Sequence, residues 1–291
     1  MLQHLFDAAS LGGLYALIAL GIALVFGVMK LVNFAYGELL MVGGYIVLRS
    51  ESLPWPVVAL LAIVAVVIVS LAMERIAFRP VRNADATTML ITSFAVSILL
   101  QNVVVIIAGR RAKGVSFGAG LANPVKIGNA QVPEVELLTI VLVVVLLTCL
   151  VTLLKRTFLG VQMRAAAEGF RMTRLMGVPA DRIMVTAFAA SGMLAATAVI
   201  LLLVTTGTVS PAMGLQPVLI GFVATVLGGM GSLMGAAVGG FLLGSITVVL
   251  QTVLPLSDRG YRDALVYTTV ILVLLLRPRG LFASRAMEER V

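Results

Sequence analysis

Asn33, Tyr36, Glu38 and Tyr45 fall within one stretch, NFAYGELLMVGGY, that is otherwise apolar and rich in glycine. Side chains of these types hold polar solutes through hydrogen bonds and charge; with no nucleophile and base beside them they do not make or break covalent bonds. A carboxylate inside so apolar a run is costly unless it faces a cavity, a partner or the aqueous boundary. Two arrangements meet that condition. In one, Asn33 caps a helix and Glu38 sits in its early turns, where the helix dipole favours negative charge. In the other, Asn33, Tyr36, Glu38 and Tyr45 line or gate a passage. The two are compatible, because a capped half-helix can itself edge a cavity. Gln101 and Asn102 raise the same question in a later apolar run, and both are expected to face protein or water and not lipid.

Other chemistry is excluded residue by residue. His4 is the only histidine and Cys149 the only cysteine, so no intrachain disulfide, metal-ligand cluster or Ser-His-Asp set can be assembled. The glycines between 228 and 244 belong to an apolar run with no lysine after them, and do not read as a phosphate-binding loop. No catalytic residue, metal or cofactor is therefore expected in this chain, and it is not read as an enzyme.

The elements that must position these residues are set by composition. The chain has 291 residues, 60% of them hydrophobic and only 12% charged, and its mean hydropathy is +1.12. A soluble domain carries about twice that charge. The apolar residues come in runs of about 20, enough to cross ~30 Å of hydrocarbon as helices. The expected fold is all-α: one polytopic domain over 1–291. Its candidate spans are 8–28, 33–49, 56–78, 86–108, 136–155, 185–206, 216–231, 233–254 and 263–277. The stretches 33–49 and 216–231 are short and punctuated by Gly or Pro, as broken helices would be, so eight or nine crossings are expected.

The net charge of +8 does not point to nucleic acid, because the basic residues flank apolar runs and form no stripe. With nine alternating spans and an outer N-terminus, fourteen of the 21 Lys and Arg lie on the inner side. That bias predicts the N-terminus outside and the C-terminus inside.

Two polar connections remain. The outer one, 109–135, holds VKIGNAQV, a hairpin signal centred on Gly128-Asn129. It reads as a solvated loop or a docking surface for an external partner. The inner one, 157–184, contains a predicted helix over 163–176 that stops at Gly177, with Pro179 beyond. It sets Phe170, Met172, Leu175 and Met176 beside Arg164, Arg171 and Arg174. Such a helix lies on the membrane or in a partner's groove. Gly231, Gly235 and Gly239, and likewise Gly240 and Gly244, recur every four residues. That spacing gives a helix face for close packing or a sliding interface.

The inner-loop pattern AAAEG…MGVPADR resembles the coupling loop of ABC importer permeases. LVNFAYGELLMVGGY, GFVATVLGGMGSLMGAAVGGFLLG and YRDALVYTTVILVLLLRPRGLF resemble the inner-membrane permeases of high-affinity branched-chain amino acid importers, specifically the H-type subunit. The likeness runs from about Leu11 to Phe282. It implies a second, M-type permease subunit, two cytoplasmic ATPases that bind the ATP, and a periplasmic binding protein that delivers the solute. It also implies that the ATPase grips loop 157–184, through Arg164, Glu168, Phe170, Arg171, Arg174, Leu175 and Gly177. Relatives handle leucine, isoleucine and valine, other amino acids, or urea and short amides. A passive channel or secondary transporter could share the helices and glycines, but would have no use for a partner-sized inner helix.

Overall fold

The computed structural model describes residues 2–282 apart from 31, 83, 119–123, 128–129, 178, 256–259 and 279. It is a helical bundle built around α1, Leu2–Met29. This helix is apolar on all sides, and a helix of that kind belongs in the centre of a bundle. Its residues from Ala16 to Val25 are almost wholly buried. It packs against α6 (Glu134–Arg156), α8 (Ala180–Thr206), α9 (Leu215–Gly228) and α10 (Leu233–Val253).

Helix α3 (Trp55–Met73) starts with Pro56 in its first turn, where the missing N–H costs no hydrogen bond. Val58, Ala62, Val66, Ser70 and Met73 are its buried stripe, at the spacing of one helix face. Ser70 Oγ fixes that face by donating to the Phe188 carbonyl of α8 at 2.7 Å. The helix then widens into a π-turn over Glu74–Phe78 and closes with α4, Arg79–Val81. Arg79 and Arg82 both bond Asp181 at the start of α8, so those two helix ends share one side of the bundle.

Helix α5 (Ala86–Ala108) is capped by Asp85, which accepts from the Thr88 backbone N–H at 3.2 Å. The Thr88 hydroxyl, with that N–H, holds the Asp85 carboxyl below its ordinary range. Among the side chains of α5 only Ser93 is buried. At its far end, β1 (Lys113–Gly114) pairs with β4 (Thr208–Val209) just after α8, which puts the ends of α5 and α8 on the side opposite Asp181. The expected hairpin is present as β2 (Pro124–Ile127) against β3 (Ala130–Pro133), with Val125 opposite Val132; its Gly128-Asn129 centre lies outside the described residues.

Six helices among the described residues are long and apolar enough to cross a membrane. Helices α2 (Tyr36–Arg49), α9 and α11 (Arg262–Leu276) have 14, 14 and 15 residues. At 1.5 Å per residue they reach only about 21–23 Å. The stretches expected to span at 33–49, 216–231 and 263–277 thus form helices shorter than a bilayer, and the other six form long apolar ones. The inner helix, expected over 163–176, is α7, Phe158–Leu175. It begins five residues earlier because Gly160 lets its first turn press against the Leu154 carbonyl, a backbone approach that a side chain would block. It ends before Gly177, whose φ of +81° suits glycine.

Candidate functional site

Helix α2 starts inside the bundle, with Tyr36 buried against Gly21 of α1. Asn33 is buried, and its Oδ1 accepts from the Ala35 N–H at 3.0 Å. That closes a side-chain turn ahead of the helix. The helical residues begin at Tyr36, and no side-chain cap binds the first turn. The expectation that Asn33 caps the helix is therefore corrected: it shapes the entering loop. Glu38 does lie in the first turn, as expected.

Glu38 is 5% exposed. Its Oε1 accepts from Ser97 Oγ of α5 at 2.8 Å, and its Oε2 has no hydrogen-bond partner among the described residues. One turn further along α5, Gln101 Nε2 donates to the Pro211 carbonyl at 3.1 Å. One turn back, Phe94 stacks on Phe34 with ring centroids 4.5 Å apart, and Phe222 of α9 tilts against Phe34 at 6.2 Å. The result is a seam between α2, α5 and the approach to α9, with aromatic rings, a carboxylate and an amide in successive turns.

Glycines make the seam possible. A Cβ on Gly37 would meet the Gly214 carbonyl, and a Cβ on Gly214 would meet that of Gly37. The beginnings of the two short helices thus touch backbone to backbone, at the positive ends of their dipoles.

The other predicted residues fall in different places. Tyr36 is fully buried against Gly21 of α1 and its hydroxyl has no partner among the described residues, so it packs the core beside the seam. Tyr45 is half-buried, with its hydroxyl likewise unpaired among them. Asn102 is exposed and its amide donates to its own helix at Ile98. It lies outside the seam, on the open flank of α5.

The predicted glycine face divides in two. Gly235 and Gly239 of α10 meet Gly228 and Ala224 of α9, whereas Gly240 and Gly244 meet Ala16 and Gly12 of α1. Gly231 is corrected: it lies before α10 with φ +92°, in a turn closed by Ser232, whose Oγ accepts from the Gly235 N–H at 3.0 Å. In α7, Arg164 is exposed and its guanidinium donates to the Leu154 carbonyl. Gly177 is exposed in the turn that follows. The side chains of Glu168, Phe170, Arg171, Arg174 and Leu175 lie outside the described residues.

Sequence reasoning missed Ser97, Phe34, Phe94, Pro211 and the Arg79–Asp181–Arg82 clamp. Phe94, Ser97 and Gln101 share one helix face by their spacing, which was the available signal. Hydrogen-bond donors, a carboxylate and aromatic faces suit the seam to holding a polar solute, not to transforming one. No group of three or more His, Cys, Asp or Glu among the described residues could hold a metal ion.

A family described as "Branched-chain amino acid transport system / permease component" matches residues 4–275. The chain is 34% identical over 307 residues to the high-affinity branched-chain amino acid transport system permease protein BraD of Pseudomonas aeruginosa, covering 99% of this chain and 97% of that protein. It is 32% identical over 304 residues to the permease protein LivH of Escherichia coli strain K12, with the same coverage. A probable LivH of Methanocaldococcus jannaschii is 26% identical over 92% of this chain and 88% of its own length.

Proposed function

The chain belongs to the family of branched-chain amino acid transport permease components, and from that premise we propose that it forms half of a translocation path for branched-chain amino acids through a bacterial inner membrane. Its general role, a permease subunit of an ATP-driven importer, is that of the family. The likeness over nearly the full length carries the reading. The seam of Glu38, Ser97 and Gln101 between α2 and α5 supports a place for the path wall, because an ionisable group held inside a bundle marks a solute route or its support.

The remaining parts of the proposal follow from charge and connectivity. In this reading of 1–291 as a single permease domain, α2, α9 and α11 lie in the membrane with the six longer helices, giving nine crossings, the upper of the eight or nine expected. The N-terminus is periplasmic and the C-terminus cytoplasmic, in keeping with the inner excess of Lys and Arg. Connection 109–135 then faces the periplasm and a binding protein. Helix α7 faces the cytoplasm, where one of two ATPases grips it; the ATP is bound there and this chain carries no cofactor. A related M-type permease supplies the other half of the path.

Uptake of labelled leucine and labelled urea, in cells with and without this subunit, tests the substrate. Loss of leucine uptake alone on deletion is the expected result. Loss of urea uptake with leucine uptake intact would assign the chain to amide import instead.

A further inference from the structure

The Glu38 carboxylate is only half satisfied. Ser97 fills one oxygen, and the other is buried with no hydrogen-bond partner among the described residues. Burying an acceptor without a donor is unfavourable, so a donor must reach Oε2 at some stage of the working cycle. The neighbours of the carboxylate show what kind. Phe34 lies four residues before Glu38, Phe94 three before Ser97, and the two rings stack with an interplanar angle of 15°. The ring pair and the carboxylate–hydroxyl pair are thus adjacent rungs of one α2–α5 junction, with Phe222 closing the aromatic side. A carboxylate next to aromatic faces suits a primary ammonium group carried on an apolar body.

We propose that Glu38 is the specificity-determining residue of the path: Oε2 receives the α-ammonium group of the passing amino acid, the stacked Phe34–Phe94 pair borders its apolar side chain, and Ser97 positions the carboxylate. This rests on the reading that the α2–α5 junction borders the path. It separates the two substrate classes by chemistry. An amino acid brings a full cation to the unpaired oxygen; urea and short amides bring a neutral N–H, a weaker partner for a desolvated carboxylate.

Two measurements on the complete transporter in proteoliposomes test it. In the first, Glu38→Gln lowers leucine uptake by about tenfold or more, as loss of one charge-assisted contact requires, while the complete transporter still assembles at the wild-type yield and Glu38→Asp recovers part of the uptake. Glu38→Gln transporting leucine at the wild-type rate overturns the proposal.

The second reads the charge without relying on transport. In a Cys149→Ser background, Ser97→Cys is treated with methanethiosulfonate reagents carrying either an ammonium or a sulfonate group. The cationic reagent reacts about tenfold faster if Glu38 is an unneutralised anion facing an open seam, and adding Glu38→Gln removes the preference. Equal rates with Glu38 present mean that the carboxyl is already neutral, by protonation or by a resident cation, and overturn the substrate role. No reaction with either reagent during turnover means that the seam is closed to water and overturns the role as well. If the wild-type transporter carries urea and not leucine, the functional reading fails on its own, and the reagent rates still judge Glu38.

Discussion

Gly240→Leu is expected to yield no folded permease, whereas Gly27→Leu in α1 is expected to leave yield and melting temperature unchanged. Both are helical glycines facing very different surroundings. A Cβ at Gly27 would meet nothing within 4 Å. A Cβ at Gly240 would stand 2.5 Å from the backbone N and Cα of Ala16. Backbone cannot rotate aside as a side chain can, so α10 must separate from α1, the helix on which most of the bundle is packed. Overpacking a core costs about 1–3 kcal/mol where side chains can adjust, and a collision with backbone at the first atom exceeds that range. Gly244→Leu behaves alike, because its Cβ meets the Gly12 backbone. At Gly235 the overlap with the Gly228 carbonyl also begins at Cβ, so even alanine there is not mild. Monodisperse yield after solubilisation, followed by thermal unfolding, is the check. Wild-type yield and melting for Gly240→Leu would mean that α1 and α10 do not pack as described.

Arg171→Glu combined with Arg174→Glu is expected to detach the proposed ATPase partner while the permease still folds and inserts. Arg171 follows Arg164 by seven residues and so shares its helical face, while Arg174 stands at the edge of that face. Arg164 is exposed, whereas Met163, Ala166 and Thr173 of the same helix are buried. α7 therefore rests one side on the bundle and turns another outward. Reversing two charges on an interface face sets like charges against the partner, at a cost of several kcal/mol, and weakens association by about 100-fold or more at 1.4 kcal/mol per tenfold. Phe170→Asp, which puts a charge into the apolar part of the same helix, acts in the same direction. Co-purification of the ATPase and substrate uptake are both expected to fall. Undiminished association and normal uptake would remove α7 from the coupling role.

Much of the architecture was legible in the sequence because membrane helices announce themselves by length and apolarity. The shortness of α2 and α9 was legible from the Gly and Pro that punctuate their apolar runs, although each is one continuous helix and not a broken one. The β2–β3 hairpin was legible from the turn signal at Gly128-Asn129. What failed to read through was local cap chemistry and distant pairing. Gly231 fits a four-residue repeat, yet Ser232 caps α10 directly after it and leaves the glycine in a turn. Asn33 has the residue type of a cap, but the helix opens three residues later. Gly160 fell outside the helix expected over 163–176, and is the contact that lets α7 fold back against the end of α6. The partner of Glu38 comes from Ser97, 59 residues away. No periodicity within α2 encodes that meeting; it depends on how α2 and α5 pack, and the backbone contact of Gly37 with Gly214 helps set the position of α2.

The ATP dependence of net uptake tests the account most directly. The complete transporter is placed in vesicles with the ATPase side accessible to ATP, and labelled leucine is supplied with the binding protein on the opposite side. The predicted result is leucine accumulated above its supplied concentration only when both ATP and the binding protein are present, and lost when this subunit is left out. Leucine that merely equilibrates, equally fast without ATP, would identify a passive channel and contradict the account.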